Sequence, residues 1–357
     1  FVSFNDGGDW NSLQLNLPNV PITDMEVTQN DLAISTQGRG FWILDKINVL
    51  QGIDKVLENN EAPYLFKPEK ALRTTLGGGW RSGGVSFEND ISFYLPRNLS
   101  LNSVNLFIKD SNGNEIINFK ENTDYLYDVD SDSAFIYSGV HTIYWDLEHK
   151  APKIQRDFVS MYYSARRGRG PDALPGNYIV EMEINGKSYS QPFNVAIDPR
   201  WDIPESELIK QFETANIIID MIEESQNKLK DIRNITSQIK TYINLTKEKD
   251  FHEIIKDNGN EIILKLKNIE ENLYQNKIET SQDEINYPRK WTNHITHLYD
   301  RITTDNQGPN DGMMNRLDEL KNDYDRYIEP FDNIINKDLK EFTNRLKENG
   351  IQGIIID

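Results

Sequence analysis

Between Pro204 and Tyr242 the chain has neither glycine nor proline, and Leu208, Phe212, Ala215, Ile219, Ile222, Leu229, Ile232 and Ile239 recur close to every third or fourth residue. That spacing places them on one stripe of an α-helix, with Pro204 near its first turn, where a missing N–H costs little. A helix of roughly forty residues extends about 60 Å, and its stripe needs partners along the whole length. Helical patterning returns at 250–275, 288–303, 312–328 and 330–348, with breaks expected at Asp257-Asn258-Gly259-Asn260, Gln307-Gly308-Pro309-Asn310 and Glu329-Pro330. The sequence therefore predicts an α-helical bundle with a long first helix over residues 201–357.

The first 200 residues have a different texture. Short alternating runs at 22–27, 31–35, 104–108 and 178–184 are separated by clusters of Gly, Asn, Asp and Pro, the pattern of half-buried strands joined by turns. Ser111-Asn112-Gly113-Asn114 and Asn185-Gly186-Lys187 supply residues that tolerate the positive φ of tight hairpins. Two prolines flanking Tyr64-Leu65-Phe66 mark a connector near 62–68. No helical pattern separates the strands that follow, which favours an antiparallel sandwich over a parallel α/β sheet. The fold class expected is thus multidomain β plus α, with boundaries near 61 and 200; the 357-residue length fits two or three domains.

Charge and composition exclude several functions. A net charge of -18 repels phosphate backbones, so nucleic acid is not an expected partner. The absence of cysteine removes disulfides, thiolate-bound zinc and thiol catalysis. No apolar run reaches the roughly 18 residues of a membrane-spanning helix. The chain starts at Phe1 without an initiator Met, which reads as processing or truncation of a longer protein.

Several stretches carry a resemblance. Ser3-x-Asn5-x-Gly7-x-x-Trp10 has the spacing of the Asp-box, a hairpin turn repeated around β-propellers, with Asn5 where Asp is usual. Residues 31–45, ending in Gly38-Arg39-Gly40-Phe41-Trp42-Ile43-Leu44-Asp45, resemble the segment closing the propeller of exported bacterial sortilin-like or BNR-repeat proteins classed as glycosyl hydrolases. His141 to Leu147, Leu174 to Tyr178, Gly186 to Pro192 and Asp198-Pro199-Arg200 are similar to that family's sandwich strands. The resemblance implies partial β-propeller blades at 1–61, an Ig-like antiparallel β-sandwich at 62–200 and the helical bundle beyond. It also implies export to the periplasm, outer membrane or medium, and a scaffold role for Ser3, Asn5, Gly7 and Trp10.

Few residues single themselves out chemically. Arg39, between two glycines, can clamp a carboxylate bidentately, as in an acidic sugar; the plainer alternative is a rim ion pair. Trp42 reads as core packing or as a ligand contact. Trp80 and Arg81, in Gly77-Gly78-Gly79-Trp80-Arg81-Ser82-Gly83-Gly84, suggest a sugar-stacking lip or a plain loop; without a following Lys-Ser/Thr this is no P-loop. Asp128, Asp130 and Asp132 have calcium-loop spacing, but Ser133 and Gly139 replace the required Gly and Glu, leaving a solvated turn as the default. His294 and His297 lack a third zinc ligand by spacing. Arg166-Arg167-Gly168-Arg169 reads as an intramolecular contact in so acidic a chain.

No catalytic set and no cofactor motif emerges from these residues. The expected function is a non-catalytic, glycan-related accessory or interaction portion of a propeller protein. Alternatives are a share in the active-site rim of a glycoside hydrolase, part of a receptor that takes extended peptide in its propeller channel, or assembly through the C-terminal helices by self-association or a protein partner.

Overall fold

The structure, a computed structural model, describes residues 1–28, 31–74, 89–100, 103–119, 135–154, 158–159, 169–304 and 306–351. It divides into two compact units, one of residues 1–147 and 173–201, the other of residues 148–172 and 202–357. The first is a set of β sheets and the second a long helical region.

The β unit begins with β1 (Ile22–Val27), β2 (Leu32–Thr36) and β3 (Phe41–Leu44), an antiparallel sheet in chain order. Two short helices follow, α1 (Ile47–Gln51) and α2 (Ile53–Glu58), where only β structure was expected. Ile47, Leu50, Ile53 and Val56 have helical spacing, but Gly52 interrupts the pattern; it is tolerated because it seats against the Phe66 ring, 3.1 Å from where a Cβ would stand. Ile47 and Val56 are buried.

Next come β4 (Tyr64–Leu65), β5 (Ala71–Arg73), β6 (Asn89–Leu95), β7 (Leu99–Ser100), β8 (Val104–Asp110), β9 (Glu115–Asn118), β10 (Phe135–Ile136), β11 (Gly139–Trp145), β12 (Gly176–Ile184) and β13 (Lys187–Ile197). They form a five-stranded sheet ordered β5-β13-β12-β8-β9, a three-stranded sheet β11-β6-β4 and a two-stranded ribbon β10-β7. One pairing departs from the antiparallel expectation, because β5 runs parallel to β13 with Ala71 opposite Val195. Ile91, Phe93 and Trp145 from the smaller sheet join Ile108, Val180, Met182 and Phe193 from the larger in one core. Alternation explains this, since successive strand residues face opposite sides. The β12–β13 hairpin closes at Asn185 (φ 50°) and Gly186 (φ 78°), both left-handed as a tight hairpin needs.

The helical unit holds α3 (Glu205–Leu245), α4 (His252–Leu273), α5 (Trp291–Thr303), α6 (Asp311–Asn333) and α7 (Lys340–Glu348), with a 3-10 turn at Ser281–Ile285 and a π turn at Ile334–Leu339. On α3 the buried seam runs Leu208, Gln211, Ala215, Ile218, Ile222, Ser225, Leu229, Ile232, Ile235 and Ile239, nearly the alternating three-and-four spacing that packs helices side by side. Phe212, expected on that stripe, is displaced by Gln211, whose amide donates to the Ile302 carbonyl (2.7 Å) at the end of α5. Phe212 instead meets the His149 ring, with centroids 4.8 Å apart.

Two expected breaks are absent. α4 runs through Asp257-Asn258-Gly259-Asn260, and α6 runs through Pro330. Burial of Phe331, Ile334, Leu339, Phe342 and Leu346 in the same core holds the chain helical past the proline, tertiary packing overriding propensity. The break at Gln307-Gly308-Pro309-Asn310 is real, and Asn310 caps α6 by accepting the Met313 N–H at 3.0 Å. Residues 148–172, assigned by sequence to the sandwich, cluster instead with the helices: Lys153 N–H donates to Glu223 (3.0 Å), and Phe158 packs against Tyr274. Among the described residues no helix is long and apolar enough to cross a membrane.

Candidate functional site

The turn at residues 3–10 is built from side-chain to backbone bonds. Gly7 N–H donates to Ser3 Oγ at 2.7 Å, and Asp9 N–H donates to Asn5 Oδ1 at 2.8 Å. Asp6 (φ 54°) and Gly7 (φ 88°) turn through the left-handed region, and Val2 pairs with Asn11 across the base. Trp10 folds beneath, its ring 3.8 Å from where a Gly7 Cβ would stand. Asn5 does more than stand in for Asp: its Nδ2 donates to the Asp9 carboxylate at 3.0 Å, which a second carboxylate cannot do.

Arg39 is exposed at the β2–β3 hairpin between Gly38 (φ 85°) and Gly40 (φ 72°). Trp42 is half-buried, and its indole N–H donates to the Arg39 carbonyl at 3.1 Å. The two therefore belong to one corner, but the bond fixes the Arg39 backbone and leaves its guanidinium outward.

The sheet carrying them exposes large apolar side chains on both faces. Cross-strand register places Met25, Ile34 and Trp42 on one face, and Glu26, Ala33 and Ile43 on the other, with Phe41 beside Asp24 and Ser35. Phe41 is 84% exposed, Ile43 62%, and Met25 and Val27 61% each. Alternation normally gives a lone antiparallel sheet one polar face. Here large apolar side chains are exposed on both faces, and among the described residues neither edge strand, β1 or β3, has a further partner.

A polar cleft of about 460 Å³ lies next to the sheet in the same unit, lined by Asp31, Lys46, Glu69, Lys70, Asn89 and Asp90 among others. Lys46 has φ 62°, its N–H bonded to Asp31 Oδ1 (3.3 Å). Its Nζ reaches Asp90 at 2.8 Å and the Tyr144 hydroxyl at 3.3 Å, lying 4.7 Å from that ring's centre. Asp90 and Tyr144 stand opposite each other on β6 and β11. Burial disfavours the ammonium, but the Asp90 carboxylate and Tyr144 outweigh it and hold the pKa above its ordinary value. Lys46 is thus a fixed cation and not a base. Asn89 Nδ2, buried beside the cleft, has no hydrogen-bond partner among the described residues.

The remaining sequence candidates do not converge with these. Trp80, Arg81, Asp128, Asp130, Asp132, Arg166 and Arg167 lie outside the described residues. Arg169 pairs with Glu148 (2.6 Å) and reaches Asp172 (3.6 Å), as an intramolecular contact requires. His294 and His297 lie on α5, where burial lowers both pKa values. Among the described residues no group of three or more His, Cys, Asp or Glu is arranged to hold a metal.

No family model, curated protein or solved structure matches this chain. The Lys46 cleft is invisible in sequence because its members are scattered from 31 to 92 and meet only in the folded chain.

Proposed function

We propose that residues 1–61 are strands of a sortilin-like Asp-box β-propeller, and that the chain is the C-terminal accessory or interaction portion of such an exported protein. It is glycan-related and non-catalytic by itself, with the five-stranded sheet and the β11-β6-β4 sheet forming an Ig-like sandwich. One observation carries the reading. A sheet that exposes Met25 and Val27 on one face and Phe41 and Ile43 on the other, with neither edge strand paired further among the described residues, is stabilised by being covered, and a propeller blade is covered by its neighbours on both faces. The self-bonded turn at Ser3 to Trp10 accompanies such strands in the family it resembles.

The isolated chain should bind an apolar-surface dye strongly. Phe41→Ser with Ile43→Thr should remove most of that signal while circular dichroism is unchanged. The chain should release no chromophore from a panel of nitrophenyl glycosides. A dye signal indifferent to the double substitution sinks the blade reading, and turnover above background sinks the non-catalytic one.

Assembly through helices has its own support, since α4 exposes Ile254 and Leu264. Sedimentation that stays monomeric at high concentration rejects it.

A further inference from the structure

A second cleft, of about 730 Å³, opens in the β unit between the exit of β6, the β12–β13 hairpin and the segment leading into β4. Its size is that of a small-molecule site. From β6 and the residues after it come Tyr94 and Arg97; from the hairpin come Asn185, Lys187 and Tyr189; from the third segment comes Glu61.

Charge sets this cleft apart. The chain carries 57 acidic and 39 basic side chains, so a basic group near the surface usually finds a carboxylate. Arg97 and Lys187 are exposed, and among the described residues neither side chain has an ion pair or hydrogen bond. Glu61 is the one acidic residue among those lining the cleft. One guanidinium and one ammonium against one carboxylate leave a local positive excess inside an acidic protein, which draws a small anion and not a polyanionic surface.

The aromatic residues supply the other half of the chemistry. Tyr94 is anchored by its hydroxyl, which donates to the Asn60 carbonyl at 3.0 Å, and Tyr189 is half-buried at the edge of the sheet core. Both residues line the cleft, and the flat C–H face of a pyranose packs on an aromatic ring. The guanidinium takes a carboxylate or sulfate with two parallel bonds, and the ammonium adds a point charge.

We propose that this cleft binds an acidic saccharide, a sugar ring bearing a carboxylate or sulfate, between Tyr94 and Tyr189 with its anion on Arg97 and Lys187. The inference deepens the glycan-related reading and rests on it only for the ligand class.

The test is calorimetric titration of the whole chain with trigalacturonate, its fully methyl-esterified form and inorganic sulfate. Trigalacturonate should bind at least 10-fold more tightly than the ester, and binding should weaken as salt rises. Arg97→Ala and Lys187→Ala should each weaken it about 10-fold, the scale of a lost charged hydrogen bond, and Tyr189→Ala about 5-fold. Glu61→Gln should tighten it, a gain that a misfolded variant does not produce. Equal binding of acid and ester, or sulfate binding as tightly as the trimer, overturns the proposal. So does an absence of saccharide binding, a result that leaves the blade reading to be judged by the dye experiment.

Discussion

Gly259 brings α4 so close to α3 that a Cβ at that position would lie 2.8 Å from Ile239 Cγ2, with Ile243 and Phe342 at 3.1 and 3.2 Å. Ile239 and Phe342 are fully buried, so neither has room to retreat. Gly259→Ala gains about 1 kcal/mol of helix propensity but forces an overpacked contact costing about 1–3 kcal/mol. The expected outcome is a net loss of stability, read as a lower urea midpoint with unchanged slope. A raised midpoint would show the two helices free to separate.

Asn5→Asp installs the residue usual in the Asp-box that this turn resembles, yet here it should weaken the turn. The Nδ2 donor to Asp9 becomes a carboxylate 3.0 Å from another. Exposure and salt limit the penalty to about 0.5 kcal/mol, so the sensitive readout is amide exchange at Gly7 and Asp9. Exchange should quicken at neutral pH and return toward wild type in high salt.

Gln211→Leu tests whether the α3 seam is set by shape or by hydrogen bonding. Leucine suits the apolar stripe, but it strips a partner from the buried Ile302 carbonyl. An unpartnered buried group costs about 1–3 kcal/mol. Thermal unfolding should therefore show a destabilised protein, and Gln211→Glu at pH 7 a worse one.

Asp198 is buried and accepts from Arg200 Nη2, Nε (2.8 Å) and N–H (3.0 Å). The Arg200 side chain foremost holds its pKa well below the ordinary 3.8. The unfolded chain then takes up the proton first, so this carboxylate's contribution is complete above the ordinary value and is lost as pH falls toward the folded one. Unfolding free energy measured from pH 7 to 2 should show wild type ahead of Asp198→Asn at neutrality, with the gap closing in acid.

Periodic signals were legible and exceptions were not. β1 and the long helix follow from alternation and from the three-and-four spacing, which need only nearest neighbours. Gly259 and Pro330 read as breaks because local propensity is all that a sequence displays; the packing that overrides it comes from Ile239 and Phe342, far along the chain. An apolar pattern selects Phe212 over Gln211 because polarity hides a residue from it. The turn at Ser3 was readable since all its bonds are local, whereas Lys46, Asp90 and Tyr144 meet across nearly a hundred residues.

The polypeptide enters the helical unit at residue 148, leaves it at 172 and returns at 202. During synthesis, β12 and β13 emerge only after residues 148–172, and these must wait for α3 and α4 before Phe158 finds Tyr274. Neither unit can therefore complete its core from one uninterrupted stretch of chain. The long-range closures make folding slow, and a fragment starting at residue 202 would uncover the apolar surface on which Ile154 and Phe158 pack.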